Sequence, residues 1–350
     1  MERLDKATRW FSFYLIEEFS LQAFSSALAV LRLANEVLRD PGYKWRIVTR
    51  TGGPAFSSCG VQIAADGSIE QERELLVTDT RTSMAVICGG HGMASGFREL
   101  DTWLRECRIH RIPIAALAGA AFVPARAGLL KGRRCAVHWE QFPAFSEQFS
   151  DIEATQTLFE IDGGFFSSAG GEAAFDLFLR IVEQDYGDTI VDRVCEKALS
   201  DRTRDLGEKQ RLPLQTRFGV AHPGLIKVIE QMEANLVEPL RMGELAPASG
   251  LSRRQIERLF HREFGRSPAR YYLEIRLEKA DLLIQHSSLP IVEIAIACGF
   301  ISASHFSKAY RETYGMAPQQ KRMSTLADRP KPGSRQVDGR AIAQPQALSA

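Results

Sequence analysis

Two periods alternate in the apolar positions of the first 200 residues. Short runs such as RWFSFYLI, KWRIVTR, GVQIAAD, MAVICGG, IPIAALAG, CAVHWE and TLFEIDGGFFSS read as strands, several of them apolar throughout. Between them lie longer amphipathic stretches: SLQAFSSALAVLRLANEVLR, FRELDTWLRECRIH and EAAFDLFLRIVEQDYG. In the first of these Leu21, Phe24, Leu28, Leu31 and Leu38 recur at the spacing of one helical face. Strand-helix alternation of this kind predicts an α/β domain over residues 8–200, its mostly parallel sheet covered by helices on both faces. The following stretch, DRTRDLGEKQRLPLQTRFG, is charged and has no apolar period, and predicts a linker over 201–220. Residues 221–323 return to an unbroken helical period, which predicts an all-α domain. Residues 324–350, rich in Pro, Gly, Gln and Ser, predict a disordered tail.

The all-α part says nearly the same thing twice. ELAPASGLSRRQIERLFHREFGRSP starts at Glu244 and EIAIACGFISASHFSKAYRETYGMAP at Glu293. In the first copy Leu245, Ala246 and Ala248 make a short helix, and Gly250 supplies the positive φ of a tight turn. Ser252 then caps a second helix, with Gln255 completing a capping box. Ile256, Leu259 and Phe260 face inward, leaving Arg253, Arg254, Glu257, Arg258 and His261 outside. The second copy repeats the plan with one extra residue after the Gly299 turn. Ser302 is its cap, Phe306, Ala309 and Tyr310 its inward stripe, and Ala303, Ser304, Ser307, Lys308 and Arg311 its outer face. Each copy is a helix-turn-helix whose second helix suits a major groove. The outward side chains of the first copy, longer and more basic, are expected to read bases more, and those of the second to hold phosphates more. Between them PARYYLEIRLEKADLLIQHS predicts a linker helix of nearly 20 residues, about 30 Å long at 1.5 Å per residue. One turn of B-DNA is about 34 Å, so two reading heads on one polypeptide match two successive grooves of double-stranded DNA.

Charge agrees in placement more than in size. The net charge of +1 conceals a surplus of basic residues after Gly219, where the repeated units are, and an acidic surplus before it. No apolar run reaches the length of a bilayer span and no cleavable signal opens the chain, so a cytoplasmic protein without membrane contact is expected. The 6 cysteines show no Cys-x-x-Cys spacing, so neither a disulfide framework nor a metal site is expected.

With PARYYLEIRLEKADLLI, CGF, SHFSKAYRETYG and the closing AP, the segment from about His222 to Arg322 resembles the DNA-binding domain of the AraC/XylS family of bacterial transcription regulators. The resemblance implies two helix-turn-helix units joined by a linker helix. It places base contacts on Arg254, Glu257 and Arg258 in the first unit and on Ser304, Ser307 and Lys308 in the second. A carboxylate at Glu257 departs from a basic or amide reader; it would accept from a cytosine amino group or orient Arg258. Arg253, Ser302 and Arg311 complete the expected DNA-binding set.

In the first domain, IAALAGAAFVPARAGLL reads as a strand, a run of tiny residues and a helix, the geometry of a nucleophile elbow at the carboxyl end of a parallel strand. With ANEVLRDPGYKWRIVTRTGG, CGGHG, AGLLKGRRCAVHWE and SSAGGEAAFDLFL, it resembles the ThiJ/PfpI-type, class I glutamine-amidotransferase-like domain found on one subgroup of AraC-type regulators, which implies a flavodoxin-like sheet. Active members carry a cysteine at the elbow, where this sequence has Ala118. A methyl group cannot attack a carbonyl, and Leu117 and Gly119 offer no thiol or hydroxyl. His138 with Glu17 or Glu18 therefore completes no catalytic set, and no enzyme activity and no cofactor are expected. The domain is expected to serve as a receptor, with a pocket at the strand ends from Gly90, His91, Ala118, Gly119, Ala120, His138, Trp139, Glu140 and Ser168. Amides at the elbow suit an anionic group, and Trp139 beside Glu140 suits a cation; relatives of the subgroup sense compounds such as arginine, betaine or carnitine. The expectation is a homodimeric, effector-controlled regulator, an activator that meets RNA polymerase. The alternatives are an amidase- or peptidase-like enzyme with a DNA-targeting domain, or a ligand-independent DNA-binding protein.

Overall fold

The structure, a computed structural model, describes residues 8–39, 42–90, 98–200, 204, 207–211, 214–220 and 222–327. Its main sheet has seven strands: β1 (Arg9–Leu15), β2 (Tyr43–Thr49), β3 (Gly67–Ser68), β4 (Met84–Cys88), β5 (Ile114–Leu117), β6 (Phe159–Asp162) and β7 (Phe165–Ser168). Their order is β6-β7-β5-β4-β1-β2-β3. All pairings are parallel except β6 with β7. The central strands β4 and β5 are buried at every position, as apolar strands covered on both faces must be. One face carries the helices Leu21–Leu38, Ala173–Tyr186 and Asp188–Ala198 over Phe11, Phe13 and Phe178. Helices Arg98–Ile109, Phe122–Arg126 and Phe142–Gln148 cover the other, around Trp103, Phe122 and Phe145.

Register decides where a site can form. Leu15 pairs with Cys88, Cys88 with Leu117, and Leu117 with Ser168, so β1, β4, β5 and β7 end level with one another and their following loops meet above one edge. Three sequence expectations change. TLFEIDGGFFSS is a hairpin, not one strand, because Gly163 and Gly164 both take positive φ and turn the chain back. GVQIAAD contributes only Gln62–Ile63, paired with Ala55–Phe56 outside the main sheet. CAVHWE forms a strand only over Arg134–Ala136, parallel to Glu153–Thr155 in a sheet of its own. All 6 cysteines are free thiols, five of them buried.

Part of the stretch read as linker belongs to the first domain. Lys209 bridges Thr157, and Leu158 N donates to Glu208 O at 2.9 Å. Further back, Arg204 pairs with the buried Asp176 at 2.6 Å. Strand-like pairing of a polar stretch leaves no apolar period to read, which is why the sequence shows only a linker there.

The C-terminal half has two cores strung on one helix, Pro268–His286. Tyr271 and Tyr272 lie in the first core with Leu225, Val228, Leu245, Ile256 and Phe260. Leu277, Ala280, Leu283 and Ile284 lie in the second with Ile294, Phe306 and Tyr310. A helix that buries different faces in two cores cannot pivot freely between them. Arg276 adds a clamp, donating to the carbonyls of Cys298 and Gly299 at 2.8 and 2.6 Å, while Lys279 donates to Ala297 O at 2.9 Å. Both cations thus satisfy carbonyls at the end of helix Ile291–Ala297. The last helix is Pro318–Ala327, running into the stretch read as tail; residues 328–350 lie outside the described residues.

Candidate DNA interface and sensor pocket

Helix Arg253–Phe264 starts as its sequence requires. The Ser252 hydroxyl oxygen accepts from Gln255 N at 3.3 Å, and the Gln255 side chain accepts from Ser252 N at 2.8 Å, a complete capping box. Gly250 ends the preceding helix with φ +69. Ile256, Leu259 and Phe260 are buried, so Arg253, Arg254 and Arg258 are left exposed along the opposite face. Glu257 is half-buried and accepts from Arg253 Nε at 3.1 Å. Of its two anticipated roles, orienting Arg258 is therefore not what its contacts show; the guanidinium it holds is that of Arg253, one turn earlier.

Helix Ala303–Tyr314 mirrors this. Ser302 accepts from His305 N at 3.2 Å, Phe306, Ala309 and Tyr310 are buried, and Ser304, Lys308 and Arg311 are exposed with Ser307 half-buried beside them. The structure thus places all nine expected DNA-facing residues on the outer faces or starts of two capped helices. The turn between the second pair is unusually constrained. Gly299 has φ +72, and a Cβ there would meet Leu236 O and Val237 O at 2.6 Å each. Those carbonyls follow helix Pro223–Ala234 of the first unit, so the two units touch at this turn besides sharing a helix.

In the first domain the elbow is where the motif puts it. Ala118, directly after β5, has φ +56, the left-handed conformation that costs a non-glycine residue about 1 kcal/mol or more. A short turn over Ala118–Ala121 leads into helix Phe122–Arg126. Gly90 O accepts from Gly119 N at 3.1 Å and from Gln141 Nε2 at 3.3 Å, which draws the loop after β4 and the helix Phe142–Gln148 onto the elbow. Gly90 itself has no room for a side chain, since a Cβ would fall 2.0 Å from Glu18 O. Gly170, after β7, closes on the Ala118 methyl, and Ser168 accepts from Gly170 N at 3.2 Å. Gly90, Ala118, Gly119, Ala120 and Ser168 therefore gather in one buried cluster at the strand ends. His91 lies outside the described residues.

The expected ligand set divides here. His138, Trp139 and Glu140 are half-buried, with His138 Nδ1 3.6 Å from a Glu140 carboxylate oxygen. The Trp139 indole does not join the elbow cluster. It lines a cavity of about 750 Å³ shared with the C-terminal half, and the Arg211 guanidinium lies over its ring, 4.7 Å from the centroid. Sequence reasoning found the ring and missed its partner, because nothing in EKQRLPL marks Arg211 as different from any solvated charge. Among the described residues no group of three or more His, Cys, Asp or Glu could hold a metal ion, and no helix is long and apolar enough to cross a membrane.

Comparison with known proteins adds to this geometry. Residues 245–324 match the "Helix-turn-helix domain" family and residues 18–184 the "DJ-1/PfpI family". The chain is 36% identical over 314 residues to the HTH-type transcriptional regulator CdhR of Pseudomonas aeruginosa, covering 89% of this chain and 91% of that protein. It is 35% identical over 319 residues to the HTH-type transcriptional regulator GbdR of the same species, covering 91% and 85%. Among solved structures, an AraC family transcriptional regulator from Pseudomonas putida is 30% identical, with a TM-score of 0.49 over 55% of this chain and 100% of that one.

Proposed function

Because the chain belongs to the HTH-type transcriptional regulators that join a DJ-1/PfpI domain to an AraC-type helix-turn-helix domain, we propose that it is a cytoplasmic, homodimeric activator. In this reading it grips two successive major grooves of double-stranded DNA and responds to a small metabolite. One observation carries the DNA reading: two capped helices expose Arg253, Arg254, Arg258, Ser304, Lys308 and Arg311 while a single helix is built into the cores beneath both. Arg254 and Arg258 suit guanine edges, and Lys308 and Arg311 suit phosphates.

The first domain then acts as receptor and not as catalyst. The elbow keeps its strained backbone at Ala118 while offering no nucleophile, so acyl transfer has no attacking atom there. An effector with a positively charged amine would find the Trp139 face in the cavity that it lines; an amino acid or a quaternary amine has that chemistry. Contact with RNA polymerase belongs to the activator reading.

Mapping where the protein sits on its own genome tests the regulator reading, and a ligand panel tests the receptor. An amino acid or quaternary amine present at a hundred times its Kd should add about 2.7 kcal/mol to the stability of the full chain. A panel of such compounds that leaves the melting temperature unmoved, with DNA binding intact, would favour a ligand-independent DNA-binding protein. Turnover of an amide or peptide substrate by the purified chain would favour the enzyme.

A further inference from the structure

The cavity beside Trp139 is the joint between the two halves. On one side stand Trp139, Glu147 and Arg211; on the other Glu233, Glu278 and Tyr314. Arg211 is held at the ring by its neighbour. Gln210 accepts from Trp139 N at 2.7 Å and donates through Nε2 to Val137 O and Thr157 O at 2.8 and 2.7 Å, so the backbone before Arg211 is fixed relative to the indole. From that position the guanidinium lines the same cavity as Glu233 and Glu278 of the other half; burial and then the Arg217 charge lower its pKa against the attraction of those two carboxylates, and Glu233 itself pairs with Arg217 at 2.5 Å. Next to it, Ala144 of helix Phe142–Gln148 is buried in the second core of the C-terminal half, with Leu277, Ala280, Leu283 and Ile284. The first domain is thus seated on the helix that spans both reading heads. It does not cover them: Arg254, Arg258, Ser304 and Lys308 stay exposed with the two halves joined. Docking in this form leaves the DNA-facing surface open and grips the part that sets its geometry.

We propose that Arg211 is a built-in occupant of the Trp139 ring, and that a compact cation entering the cavity displaces it and loosens the seat of the first domain on helix Pro268–His286. This rests on the receptor reading above and supplies its means of control. A ligand ammonium or guanidinium and the Arg211 guanidinium cannot share one ring face, so ligand binding at Trp139 and the seating of Arg211 on that ring exclude each other. Signal passes because the ligand replaces a side chain that lines the cavity between the two halves.

Limited subtilisin digestion of the full chain tests this without DNA, following cleavage between residues 200 and 222. Arg211→Gln keeps the Gln210 ties and removes only the cation; it should be cut about two- to fivefold faster than the parent, the size of one partly exposed cation–ring contact. Arg211→Lys, which keeps a cation, should stay nearer the parent rate. Tetramethylammonium chloride, compared with sodium chloride at equal concentration, should speed cleavage of the parent and leave Arg211→Gln unchanged. Equal rates for the parent and Arg211→Gln overturn the proposal, as does a tetramethylammonium effect that is absent from the parent or the same in both proteins. The tetramethylammonium arm on the parent needs no variant to fold. Failure here would leave DNA binding and effector sensing standing, whereas a chain that binds no operator would fail the regulator reading with the Arg211 contact intact.

Discussion

Arg258 and Arg311 differ in what surrounds them, and their loss should read differently. Arg258 projects from the middle of the first recognition helix, opposite the buried Leu259 and Phe260; Arg311 sits near the end of the second, one turn before Gly315. Arg258→Ala should cost about 1–3 kcal/mol on the cognate site and relax base preference at one position. Arg311→Ala should weaken cognate and random duplexes alike and reduce the salt slope by about one. Binding titrations at several salt concentrations check both, and equal losses on random and cognate DNA for Arg258→Ala would make it a phosphate contact. The helix caps were legible at this scale: Ser252 with Gln255, and Ser302, announce themselves by spacing alone. Glu257 was not, because whether a carboxylate pairs forward with Arg258 or back with Arg253 depends on rotamers that sequence does not set.

At the scale of elements, the two turn glycines look interchangeable in sequence and are not. Gly250 and Gly299 share positive φ, +69 and +72, but a Cβ at Gly250 meets nothing within 4 Å whereas one at Gly299 strikes two carbonyls. Gly250→Ala should therefore cost about 1 kcal/mol, the backbone strain alone. Gly299→Ala should cost about 1–3 kcal/mol more, since Leu236 and Val237 must move and with them the contact between units. Urea melts of the full chain give both values; equal costs would mean that the units do not press on each other at that turn. The parallel strands were readable because β4 and β5 are apolar throughout, and the elbow because tiny residues follow β5. The hairpin of β6 and β7 was hidden because strand-like residues resume directly after Gly163–Gly164, and the short edge strands carry too few residues for any period to show.

For the whole molecule, two heads on one helix predict a strict requirement on DNA. Inserting five base pairs between the two half-sites turns one groove to the far side of the duplex, so affinity should fall toward that of a single head. Mobility-shift titrations on spaced operators measure this, and undiminished binding would mean that only one head engages. The division into two halves was plain from the change of period near residue 220, and the repeat gave the second half its plan. How the halves meet was not plain. Ala144 and Arg211 look like any alanine in a short helix and any arginine in a polar stretch, and only three-dimensional packing sets one inside the second core and the other over Trp139.

Helix Pro268–His286 furnishes Tyr271 and Tyr272 to one core and Leu277, Ala280, Leu283 and Ile284 to the other. Lengthening it by a single residue would swing the far head through about 100° and slide it 1.5 Å, tearing the aromatic seat from the aliphatic one. On the proposed two-groove reading, divergence in a lineage built this way falls on the outward side chains of the two heads. The interval between the heads, fixed by this helix, would be inherited unaltered, and promoters recruited to such a protein would have to adopt its gauge.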